Sequence, residues 1–127
     1  MNVLEFISEM LPEFSYTVYF NELPEGKAGL VISESSLSSS ITSFAGWTGV
    51  VNSRIQLYLR AEKKEGFTTL DSLMRRLYKE IKASEGIEKG GLKLLYVDEF
   101  SYIPNVRDEK GNYIFSMYFP IVYKENI

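Results

Sequence analysis

Two adjacent acid pairs, Asp98-Glu99 and Asp108-Glu109, are the residues of this sequence that most invite a chemical role. Paired carboxylates can divide general acid and base work, or hold a cation, when they converge on one point. Asp98 and Glu99 fall in a segment that reads as a strand, where neighbouring side chains point to opposite faces. Asp108 and Glu109 fall in the run DEKGN, which has turn chemistry. Histidine and cysteine are absent, which removes thiol nucleophiles, disulfides, iron–sulfur clusters, most zinc sites and every His general base. The serines of 33–43 have no His or positioned Lys to activate them. Gly86, Gly90 and Gly91 follow a helix instead of joining a strand to a helix N-terminus, so they form no phosphate-binding loop. Arg54, Tyr58 and Arg60 interleave base and aromatic as single-strand binders do, but the formal charge of −3 opposes a polyanion. The expectation is therefore no catalytic residue, no cofactor and no metal.

The elements that would carry any other role are legible from periodicity. Val3–Leu11 has apolar residues near helical spacing, with Asn2 as N-cap, Glu5 three residues later and Pro12 as the stop. Phe14–Asn21 is rich in β-branched and aromatic residues and reads as a strand; Leu23-Pro24-Glu25-Gly26 is a turn, and a short strand over Gly29–Ser33 follows. Arg54–Ala61 alternates, with Ile55, Leu57, Leu59 and Ala61 on one face. Leu70–Glu85 carries the stripe Leu70, Leu73, Met74, Leu77, Tyr78 and Ile81, with Thr68 or Thr69 as cap and Gly86 as stop. Leu92–Ile103 and Asn112–Tyr123 are two long β segments joined by a hairpin turn. The expected fold is α+β: a largely antiparallel sheet of about five strands packed against two helices in two layers, in the order α-β-β-β-α-β-β.

The 127 residues make one domain by length, with 45 % hydrophobic and 24 % charged residues. No apolar run approaches the roughly 20 residues of a membrane-spanning helix, and the first ten residues carry acid where a leader would carry Lys or Arg. Charge is uneven: residues 1–50 hold six Glu and one Lys, a net of −5, which leaves +2 for 51–127. Seven serines in 33–43 predict a mobile arm or hairpin at about 34–52. Ile41, Phe44, Trp47, Val50 and Val51 are too apolar for a plain linker, which points to packing against something. In the last segment Tyr113, Phe115, Met117, Phe119, Ile121 and Tyr123 share one face, while Ile114, Tyr118 and Val122 share the other. A strand apolar on both faces needs cover on both, from helices on one side and a loop or another subunit on the other.

The layout resembles the small tail-terminator and minor capsid proteins of long-tailed bacteriophages and prophages, which act at the head–tail joint. The resemblance covers most of the chain and is carried by RIQLYLRAEKKEGFTTLDSLMRRLYKEIKASEG and GNYIFSMYFPIVYKE within 54–123. LPEGKAGLVISESS and the serine run stand where the family pattern has a Pro-rich stretch and a Gly-Gly pair. The resemblance implies a structural, non-enzymatic virion protein, made in the cytoplasm of a bacterial host. It implies a homo-oligomeric ring, of six subunits, that caps the tail tube and docks on head connector proteins, with neither sequence-specific nucleic-acid binding nor a membrane. Phe44, Trp47 and Val50 in the arm, with Tyr118 and Val122 on the last strand, are the expected subunit interface. The competing expectation is a monomeric bacterial module that holds a small ligand or peptide between helix and sheet.

Overall fold

The computed structural model describes residues 1–44, 47–62 and 66–125; over 36–44, 47–48 and 104–106 it describes the backbone alone. Two helices, α1 (Val3–Met10) and α2 (Phe67–Lys82), lie against a mostly antiparallel curled sheet. The strands are β1 (Val18–Phe20), β2 (Gly29–Phe44), β3 (Trp47–Ala61), β4 (Glu88–Lys89), β5 (Leu92–Val97), β6 (Ser101–Arg107) and β7 (Tyr113–Glu125). Along the sheet the order is β1-β2-β3-β7-β5-β4, and β6 also pairs with β7. The fold is α+β as expected; the sheet curls where two flat layers were expected, and it has seven strands in place of about five, in the chain order α-β-β-β-α-β-β-β-β.

α1 forms because its first turn is closed on both sides. Asn2 Oδ1 accepts the Glu5 N–H at 2.9 Å, and Glu5 Oε1 accepts the Asn2 N–H at 3.1 Å. Val3, Leu4, Phe6 and Ile7 then face the core. α2 begins earlier than the Thr caps predict, with Gly66 as N-cap, and ends at Lys82 with Ala83 as C-cap. Its buried stripe is Leu70, Met74, Leu77 and Ile81. Both helices share one buried cluster with the inward rows of the sheet: Leu30 and Ile32, Ile55 to Ala61, Leu92, Leu94 and Val97, and Phe115 to Tyr123.

Three expected segments come out differently. Of Phe14–Asn21 only Val18–Phe20 is strand, because β1 runs parallel to β2, pairs with Leu30–Ile32 alone, and leaves at Asn21 with φ 71°. Phe14 and Tyr16 instead pack on the core as irregular chain. Residues 34–52, expected as a mobile arm, continue β2 and β3 as a two-stranded ribbon, with Ser40 opposite Asn52, Ile41 opposite Val51 and Phe44 opposite Trp47. The β-branched Ile41 and Thr42 of the run pair with the β-branched Val51 and Val50 of the partner strand. The ladder slips twice: between Ser35 and Ser40, β2 advances five residues while β3 advances two, from Arg54 to Asn52, and between Thr42 and Phe44 β2 advances two while β3 advances three, from Val50 to Trp47.

The segment Leu92–Ile103 is two collinear strands on one edge of β7. β5 pairs with Ile121–Glu125 and β6 with Tyr113–Tyr118. The break falls opposite Pro120, which has no N–H to continue the ladder; its carbonyl accepts the Asp98 N–H at 2.9 Å. Asp98 and Glu99 therefore stand in the irregular link between β5 and β6 and not in a strand. A bulge at Leu95 explains a second irregularity, since Leu94 and Val97 are both buried although three residues apart.

Candidate interaction surface

The sheet has two unlike faces. One lies under α1 and α2. The other carries Val31, Ser33 and Ser35 of β2, Arg54, Gln56, Tyr58 and Arg60 of β3, and Ile114, Ser116, Tyr118, Pro120 and Val122 of β7. Among the described residues no helix covers this second face. Its β7 side chains are half-buried by their neighbours alone. Polar groups lock these neighbours together. Arg54 Nε donates to Ser35 Oγ at 3.2 Å, and its guanidinium stacks 5.4 Å over the Tyr118 ring. Gln56 Nε2 donates to Ser116 Oγ at 2.9 Å.

The expected interface residues fall on this face or next to it. Tyr118 and Val122 are on it, separated by Pro120. Val50 is 6 % exposed, so its own subunit already covers it and little of it remains for a neighbour. Phe44 and Trp47 face each other across the tip of the β2–β3 ribbon, and their side chains lie outside the described residues. Sequence reasoning missed Tyr96. The bulge at Leu95 turns this residue outward, and nothing in an alternating pattern signals a bulge. Tyr96 is 43 % exposed and, with Asn52, Pro120 and Val122, lines a notch of about 200 Å3 on the open face. The Lys82 ammonium sits 4.9 Å from the centre of its ring.

Where the ribbon leaves the body, the core ends in a polar knot. Tyr123 OH and Ser53 Oγ both donate to Glu34 Oε2, at 2.7 and 2.8 Å. Ser53 and Tyr123 are buried, and burial followed by the Glu34 carboxylate raises the Tyr123 phenol well above its usual range. Two donors on one carboxylate oxygen tie β2, β3 and β7 at the ribbon's root.

The acid pairs do structural work. Asp108 accepts from the N–H groups of Lys110 and Asn112 and from Asn112 Nδ2, all at 2.9 to 3.1 Å, which shapes the turn before β7. The Asn112 side chain foremost, then the backbone N–H groups and Arg60, hold its carboxyl below the ordinary value. Asp98 accepts the Glu99 N–H and the Tyr96 hydroxyl. Among the described residues no three Asp or Glu side chains gather as metal ligands would. Arg60 and Asp108, 3.6 Å apart, line a charged cleft of about 340 Å3 with Glu25, Lys27, Glu62 and Lys110. A second cleft, about 520 Å3, runs between Phe14–Tyr16 and the first turns of α2. No helix among the described residues is long and apolar enough to cross a membrane. The chain matches no protein-family model, no curated protein and no solved structure.

Proposed function

We propose that this chain is a structural, non-enzymatic subunit that assembles with copies of itself into a ring, of six subunits, at the head–tail joint of a long-tailed bacteriophage or prophage. The observation that supports self-assembly is the open sheet face, where Tyr58, Ile114, Tyr118, Pro120 and Val122 lie together without a helix over them. Tyrosine and arginine are the residues that carry protein interfaces, because each combines a large apolar area with a polar tip. The head–tail assignment rests on the resemblance in element order: a short first helix, a strand pair with a long ribbon, one long helix and an aromatic closing strand. In that reading the ring is a virion component that meets the tail tube on one side and the head connector on the other. Its repeated contact is heterologous, with a rotation that closes.

A ligand-binding module expects an apolar cavity between helices and sheet. Here Phe6, Leu57, Met74, Leu77 and Phe115 fill that space, and each is fully buried. The clefts described above lie at the surface instead. The deciding experiment is mass in solution across concentration, with negative-stain imaging of the purified protein. Rings that bind tail tubes are the expected result; a monomer at high concentration, with no rings and no affinity for tubes, overturns the proposal.

A further inference from the structure

The notch on the open face has apolar walls and one charge. Tyr96, Pro120 and Val122 supply the walls, and Asp98 supplies a carboxylate. Asp98 is exposed, yet it is held at four points. Its N–H donates to the Pro120 carbonyl at 2.9 Å, and its own carbonyl accepts the Tyr78 hydroxyl at 2.7 Å. Its Oδ1 accepts the Glu99 N–H at 2.8 Å and the Tyr96 hydroxyl at 3.3 Å. Among the described residues Oδ2 accepts no hydrogen bond, and no Lys or Arg forms an ion pair with this carboxylate. The lone pairs of Oδ2 are therefore open to an outside donor. A carboxylate fixed in advance loses little side-chain freedom when a partner arrives.

We infer that the notch is a binding site for an arginine side chain presented by a partner protein. Size fits, since a cavity of about 150 Å3 accepts a planar group such as benzene and the notch holds about 200 Å3. Charge and shape fit together. A guanidinium is planar and weakly hydrated, so it can lie on the Tyr96 ring, donate to Asp98 and leave its apolar stem against Pro120 and Val122. A lysine ammonium is compact and strongly hydrated, and apolar walls strip that hydration with less in return. The Lys82 ammonium, 4.9 Å from the Tyr96 ring centre, does not oppose a second cation strongly, because Glu85 pairs with it at 2.9 Å. Nor does the chain fill the notch itself. Arg54 is the cross-strand partner of Pro120, but it stacks on Tyr118 and donates to Ser35. The inference goes beyond self-assembly: it names the side chain that enters and requires no ring.

The test is a titration of the full chain with the blocked tripeptide Gly-Arg-Gly at millimolar concentrations, followed by TROSY amide spectra. Saturating shifts confined to the amides around Tyr96, Asp98 and Val122 are the expected result. The tripeptide with neutral citrulline in place of arginine should shift nothing, and Gly-Lys-Gly should bind more weakly. Asp98→Asn should weaken the arginine peptide about tenfold or more, because a hydrogen bond to a charged acceptor is lost. Glu99→Gln removes the same charge one residue away, outside the notch, and should leave binding nearly unchanged. Tyr96→Leu, which keeps an apolar wall, should weaken it several-fold. Equal losses in Asp98→Asn and Glu99→Gln would reduce the effect to general surface charge and overturn the inference. So would shifts scattered over the surface, no shifts at all, or equal binding of the citrulline or lysine peptide. Ethylguanidinium alone that binds more tightly than the peptide would make this a small-cation site and overturn a partner's side chain as the occupant.

Discussion

A single carboxylate oxygen holds the ribbon's root. Tyr123 and Ser53 both donate to Glu34, and their burial makes the loss of either bond cost more than its mean worth. Tyr123→Phe keeps the ring and removes the donor to a carboxylate, so urea unfolding should show a loss of about 1.5–3 kcal/mol. The variant should also change the alkaline limb. Burial and Glu34 raise the phenol, so the folded chain keeps a proton that the unfolded chain releases above about pH 10. That contribution is fully present below this pH and declines as the pH rises, and Tyr123→Phe makes the decline shallower. Glu85 behaves in the opposite sense. Partial burial pulls its carboxyl upward, but the Val97 N–H at 2.7 Å and the Lys82 ammonium at 2.9 Å outweigh it and leave the value lowered. The unfolded chain therefore binds the extra proton, and the contribution is present above about pH 4.3 and lost as the pH falls through the folded value. Glu85→Gln should flatten the acid limb of a stability–pH profile recorded at constant salt.

The elements differ in how firmly each is anchored. α2 is held by four buried side chains, and Leu77→Ala, which opens a cavity at their centre, should cost about 2–5 kcal/mol by urea titration. β1 is held far less. A Cβ at Gly29 would lie 2.6 Å from the Tyr19 ring and 2.9 Å from the Thr17 carbonyl, and that carbonyl accepts the Leu30 N–H. Gly29→Ala should release β1 locally, seen as lost hydrogen-exchange protection at Leu30 with the core amides unchanged. What the sequence revealed follows the same division. The Asn2–Glu5 box and the stripe of α2 are local signals with fixed spacing, and the helices appear within a few residues of where those signals put them. Strand ends depend on more than their own residues: β1 stops where the chain turns away at Asn21 although β2 runs on, and the β5–β6 break answers to Pro120, which is remote in sequence. The open face was legible through the double-sided apolar pattern of Tyr113–Tyr123. The notch was not, because it depends on one bulged residue, Leu95, which reverses the alternation that exposes Tyr96.

At the scale of the molecule the two sheet faces divide the labour. The face under the helices has a closed, fully buried core that stabilises the subunit, and the open face adds little to that stability because its contacts are lateral and half-wet. On the proposed self-assembly this separation would let assembly be altered without unfolding, and Tyr118 is the position that tests it. Within one subunit its ring meets Arg54, a cation–π contact worth about 0.5–1 kcal/mol at an exposed site. In an interface core an aromatic of this size carries about 2 kcal/mol or more, so its truncation weakens association about thirtyfold. Tyr118→Ala should therefore lower unfolding stability by no more than about 1 kcal/mol while shifting sedimentation velocity strongly toward monomer across a concentration series. A variant that loses stability but assembles as before would make the open face ordinary surface. The contact would then have to lie elsewhere, along the β2–β3 ribbon, whose edge beyond Ser33 has no strand beside it among the described residues.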